Sequence, residues 1–197
     1  MKHLKYYCTV ILIIFLFGTI SSSCQNAPNQ KSKVRDKEFA IKPKLDNSLD
    51  SFLIPQGYVS DYENLFTKSE IYILDSILYN FENETKLQVI LVTLGSNIAS
   101  SSEFDKVIAT LGNGWKVGGD SSLGTIIGVS ASNKLIRIEN GYKIRPFISD
   151  VESQDVINDQ FLPDFKNAQF FKGTLSGVSI LLETLRKNLK ERSKVTF

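Results

Sequence analysis

Between residues 67 and 85 the apolar positions Ile71, Leu74, Leu78 and Phe81 fall three or four apart, which places them on one helical face. Thr67-Lys68-Ser69-Glu70 ahead of them is a capping-box pattern, so a first helix is predicted over about 68–85. LQVILVTL is a continuous apolar run rich in branched side chains and predicts a buried strand at about 87–94. Ser100 to Glu103 repeats the capping pattern and opens a second helix, which the glycines of LGNGW close. TIIGVS and KLIRIE, separated by Ala-Ser-Asn, read as a hairpin. Ser149 to Glu152 is a third capping box and starts a helix through about Phe161, with Pro163 expected to break it. Phe171, Leu175, Val178, Leu182 and Leu185 are at helical spacing in a last helix from about Gln169 to Arg192. The predicted order is αβαββαα, a mixed α/β sheet with helices on both faces.

The residues before this pattern belong to a different regime. Lys2 and Lys5 precede an almost wholly apolar run from Cys8 to Ile20, and Ser21-Ser22-Ser23-Cys24 follows. A charged start, an apolar run of about 13 residues and small residues before a break describe a secretory signal. The run is short for a membrane span, which needs about 20 residues. Bacterial lipoproteins are cut before a cysteine that is then acylated, so residues 1–23 are read as a signal peptide and Cys24 as the lipidation site. The usual leucine three residues before that cysteine is Ser21 here. Residues 24–57 are polar, charged and poor in aromatics, and read as a flexible tether. The domain is expected at 58–194, held outside the cytoplasm at a membrane.

Composition then narrows the chemistry. The sole histidine is His3 and the cysteines are Cys8 and Cys24, so the expected domain contains neither residue type. Ser-His-Asp triads, cysteine nucleophiles and His/Cys zinc sites are thereby excluded from it. Any bound metal would be a hard cation on oxygen ligands, Ca²⁺ or Mg²⁺. Residues 58–197 carry 15 basic and 17 acidic side chains, a balance that argues against a nucleic-acid partner.

Four acids stand near predicted strand ends and turns: Asp61 before the first helix, Asp120 before the middle strand, Glu139 at the end of the last strand, and Asp150 at a helix start. Open α/β sheets bind ligands at strand ends, and acids beside glycine-rich turns can share a cation with free backbone carbonyls. Each also has a plainer reading. An aspartate at a helix start caps it, a glutamate ending a strand faces water or an arginine such as Arg137, and Asp120 can be a turn residue.

Read together, YVSDYENLFTKSE, TKLQVILVTL, WKVGGDSSLGTIIGVS, RIENGYKIRPFISD and INDQFLPDFKNAQFFKGTLSGV resemble the TPM domain family, in its order and spacing over nearly all of 58–180. The resemblance implies an α/β/α sandwich with a divalent-cation site at one end of the sheet, Ca²⁺ more than Mg²⁺, built on Asp61 and Asp150 with Glu139. The family's Asp-Asn-Gly triplet before the middle strand is Ser122-Leu123-Gly124 here, which leaves Asp120 or the Ser122 hydroxyl as substitutes and a weakened site. Two functions follow as expectations. One is a membrane-tethered, divalent-cation-binding module that assists or binds a membrane-associated protein through exposed aromatics drawn from Tyr142, Phe147 and Phe170, with Phe171 read as core. The alternative is a metal-dependent phosphatase in which Lys116 or Arg145 neutralises phosphate oxygens.

Overall fold

The computed structural model describes residues 53–195. The expected signal peptide, Cys24 and the tether up to residue 52 lie outside the described residues. Within them a four-stranded sheet runs in the order β1 (Val59–Asp61), β2 (Gln88–Thr93), β3 (Gly124–Ser130) and β4 (Leu135–Asn140). The first three strands are parallel and β4 returns antiparallel to β3, the predicted hairpin.

Strand β1 is an addition to the predicted order. Three residues, Val-Ser-Asp, are too few to show a period, and only pairing with β2 makes them a strand. The folded part also starts before Tyr58. Leu53 is buried in the core, and the Trp115 indole N–H donates to its carbonyl at 3.0 Å.

Helix α1 (Lys68–Thr85) begins at Thr67 with the predicted capping box, and Leu74, Leu78 and Phe81 are fully buried. Helix α2 (Phe104–Gly114) starts later than its capping pattern suggests. Ser100 Oγ donates to Glu103 Oε2 at 2.6 Å instead of capping the helix, so the four residues make a turn and Phe104 opens the helix.

Helix α3 (Asp150–Val156) has the predicted box on Ser149. Pro163 does not end it. A π turn at Ile157–Phe161 leads directly into α4 (Leu162–Phe165), with the Leu162 N–H donating to the Ile157 carbonyl. The wider i→i−5 turn shifts the register ahead of the proline, which then stands in the first turn of α4, where its missing N–H is tolerated. Helix α5 (Phe170–Val195) follows.

Two layers close the sheet. Val89, Leu91, Ile127 and Val129 face α1, α3 and α5, while Ile90, Val92 and Ile126 face α2 with Trp115. The β1–α1–β2 and β2–α2–β3 crossovers step the same way across the sheet but cover opposite faces. They therefore have opposite hands, and one departs from the right-handed preference.

In α5, a Cβ built on Gly177 would stand 2.0 Å from the ring of Phe161, which is fully buried. Gly177→Ala is expected to lower stability in urea unfolding by about 1–3 kcal/mol, overpacking outweighing the gain in helix propensity. Ser179→Ala, on the exposed side two residues on, should stay within about 0.5 kcal/mol.

Candidate functional site

Because β1, β2 and β3 are parallel, the sheet has a carboxyl end at Asp61, Thr93 and Ser130, and an amino end at Gln88 and Gly124. The antiparallel β4 carries Glu139 and Asn140 back to the amino end. This divides the expected ligands.

Asp61 is at the carboxyl end and only 8% exposed. Its carboxylate accepts from the Leu65 N–H at 3.0 Å, the Phe66 N–H at 2.9 Å and the Thr93 hydroxyl at 2.5 Å. A carboxylate offers about four lone-pair sites, and three are in use. Thr93 Oγ1 in turn accepts from the Glu63 N–H, and the Glu63 carboxylate accepts from the Ala131 and Ser132 N–H groups at 2.9 and 2.8 Å. Two acids thus fasten three loops at this end. Glu63 has no sequence signal of its own: the amides that it satisfies are 68 and 69 residues away.

Asp120 and Ser122 are at the amino end, within and just after a 3₁₀ turn at Gly119–Ser121. The Asp120 side chain is 99% exposed, and its nearest cation is Lys116, at 3.7 Å. Ser122 is exposed with φ near +52°. Asp150 is the first residue of α3 and is exposed, while the capping falls to Ser149.

Glu139 points to the α2 face, with Leu135 and Arg137, as the alternation on β4 requires. Arg137 donates to it through Nη2 at 2.6 Å and Nε at 3.2 Å, and Asp105 lies 3.9 Å from Arg137. The hydrogen bond to Glu139, and secondarily the charges of Glu139, Asp105 and Asp150, hold the guanidinium still more firmly protonated.

The neighbouring Asn140 does the structural work that its acidic neighbours do not. It is buried, accepts from Thr125 Oγ1 at 2.9 Å and donates to Ser153 Oγ at 2.9 Å, joining β3, β4 and α3. The Gly141 N–H donates to the Gly124 carbonyl at 2.9 Å. Gly124 itself lies against the Trp115–Gly118 loop so tightly that a Cβ on it would meet the Val117 carbonyl carbon at 2.4 Å. The WKVGG…LG spacing is accounted for by that backbone contact.

A divalent ion needs these oxygens in one shell of 2.3–2.6 Å bonds. On the register, Asp61 is level with Ile136 of β4, three residues from Glu139 and three strands across from it. That is about 10 Å along the strands and about 14 Å across them, and the two side chains leave opposite faces. Among the described residues no group of three or more Asp, Glu, His or Cys side chains could hold a metal ion. Asp61, Asp120, Ser122, Glu139 and Asp150 as placed do not fit one cation.

At the corner between β4 and α3 there is a different feature, a cleft of about 620 Å³. Leu123, Tyr142, Lys143, Arg145, Phe147 and Arg192 line it. Tyr142 is 81% exposed, and the Arg192 guanidinium lies 5.7 Å over the Phe147 ring. Of the other aromatics, Phe170, expected at a contact surface, packs on Phe165, and Phe171 packs on Phe66, in line with its core spacing.

The two roles of the acids separate under mutation. Asp61→Ala leaves two N–H groups and a hydroxyl without their acceptor and should lower unfolding stability by about 3 kcal/mol or more, with or without added Ca²⁺. Asp120→Ala should change it by less than about 0.5 kcal/mol. A loss for Asp61→Ala seen only in the presence of Ca²⁺ would restore the ion to this end of the sheet.

Comparison with known proteins agrees with this geometry. The family model described as TPM domain matches residues 59–184. A solution structure of the N-terminal domain of a P. gingivalis protein superposes with a TM-score of 0.62 at 21% identity, over 68% of this chain and 84% of that one. The BA42 protein from the psychrophilic bacterium Bizionia argentinensis superposes with a TM-score of 0.50 at 21% identity, over 64% and 86%. At these identities the likeness is one of fold. No curated protein matches. With its family model spanning the sheet and both helical layers, the chain belongs to the TPM domain family.

Proposed function

We propose that the chain is a lipid-anchored domain outside the cytoplasm that binds a membrane-associated protein and does not hydrolyse phosphate esters. The observation that carries this reading is the disposition of the acids. Asp61 and Glu63 are committed to loop amides, Glu139 to Arg137, and Asp120 and Asp150 are exposed, Asp120 beside Lys116. Groups used as fasteners are poor candidates for a hydrolytic centre, which needs ligands and a base converging on one water. The open surface instead consists of an exposed aromatic and three cations, the kind of surface that binds.

The phosphatase alternative draws on the same cleft, since Lys143, Arg145 and Arg192 could neutralise phosphate oxygens. It lacks a partner group there. No carboxylate lines the cleft among the described residues, so nothing beside the phosphate would hold a cation or take a proton from water.

Three measurements on the full chain test the proposal. Fractionation should find it in membranes, and Cys24→Ser should abolish incorporation of a labelled fatty acid into the chain. Incubation with p-nitrophenyl phosphate and millimolar Ca²⁺ or Mg²⁺ should give no turnover. Hydrolysis that requires the cation and is lost in Asp150→Ala would replace binding with catalysis.

A further inference from the structure

We propose that the cleft between β4 and α3 takes the headgroup phosphate of an anionic phospholipid, seating the domain on the bilayer; this rests on the reading that the chain works at a membrane. Lys143 and Arg145 come from the loop after Asn140-Gly141, and Arg192 comes from the far end of α5. Cations gather at a helix C-terminus because the helix dipole favours them there, which accounts for Arg192 and Lys194 in the last turn of α5. It does not require two further cations, from a separate loop, to line the same cleft. The cluster also runs against the domain's balance. Residues 58–197 carry 15 basic and 17 acidic side chains, a net charge of −2, yet the described lining of the cleft is +3 with no acid. Asp120, at the same end of the sheet, is paired with Lys116 and outside the cleft.

Shape and neighbours favour a lipid over an acidic peptide. Tyr142 is on the rim with 81% of its surface exposed, and an amphipathic ring of this kind sits well at headgroup level. The Phe147 ring backs the Arg192 guanidinium, 5.7 Å from its centroid, and so keeps that charge beside the cleft.

The path of the chain gives the same direction. Strand β1 is parallel to β2, so the residues before Val59 approach from the amino end of the sheet, the end that bears Gly124 and the Asn140-Gly141 turn. Leu53 is fixed there by Trp115, at the C-terminus of α2. Residues 53–58 therefore enter the domain at the cleft's end of the sheet. A headgroup site at this end would hold it on the bilayer and leave the carboxyl end, with Asp61 and Glu63, facing away.

The test uses the full chain purified without acylation and vesicles of phosphatidylcholine alone or mixed with phosphatidylglycerol. The apolar segment near residue 10 contributes to both, so the readout is the ratio of retention between the two compositions. We expect retention at least about tenfold higher on the anionic vesicles, falling as salt is raised. Lys143→Ala with Arg145→Ala should bring that ratio down by about fivefold or more, toward equal retention on the two vesicles. Lys68→Ala with Lys106→Ala, which removes the same charge from exposed positions at the carboxyl end, should leave it unchanged. Tyr142→Ser should reduce anionic retention without a change in charge, and far-UV circular dichroism should be the same for all variants. Equal retention on both vesicles, or equal loss from both double variants, would overturn the proposal. So would release by millimolar inorganic phosphate at constant ionic strength, or tighter binding to polyglutamate than to the vesicles. The anchor is read separately from fatty-acid labelling of Cys24→Ser, so a failure of the cleft and a failure of the lipid anchor give different results.

Discussion

Strands β2 and β3 are dry on both faces, and that constraint organises the molecule. Helices α1 and α5 cover one side and α2 the other, so the interior strand positions are filled by Val, Leu and Ile. Polar groups on these strands are confined to the two ends and to the outer strands. Six or seven residues of strand separate the ends, about 20 Å. Whatever the chain does through polar groups must therefore be done at one end or the other, and a single site cannot draw on both.

Each end uses its polar groups differently. At the carboxyl end, Asp61 and Glu63 accept backbone N–H groups that would otherwise go unpaired where the chain leaves the sheet. A charged acceptor makes such bonds stronger than a neutral one would, and an amide left without one is costly when buried. At the amino end the buried hub is neutral. Asn140 offers one acceptor and one donor to two different elements, which ties α3 to the sheet without burying a charge. Beyond it the surface opens into basic side chains and Tyr142. The acids are structural at one end, and basic side chains gather at the other.

Backbone contacts decide what side-chain patterns cannot. Gly124 lies against Val117 and Gly118, and Gly177 against the ring of Phe161. Neither contact has a period in the sequence, because what matters is the absence of a Cβ facing an element far away in the chain. The π turn before Pro163 is similar. A proline in a helical pattern reads as a stop, and only the packing of Ile157 and Phe161 into the core keeps the chain helical through it.

The sequence by itself determined the elements longer than about five residues, because burial of one face leaves a period of 3.6 or an unbroken apolar run. Helices α1 and α5, strands β2 to β4 and the caps at Thr67 and Ser149 are all local signals of this kind, while for Glu139 the strand alternation offered Arg137 as one partner among several readings. It also placed Asp61, Asp120, Glu139 and Asp150 near strand ends and turns. Only the tertiary structure decided which end each belongs to, since a strand's direction is set by its neighbours and not by its residues. The parallel β1 sends Asp61 to one end, and the antiparallel β4 returns Glu139 to the other. The same folding brings Arg192 across to Lys143 and Arg145, a juxtaposition of residues nearly fifty positions apart that no local pattern encodes.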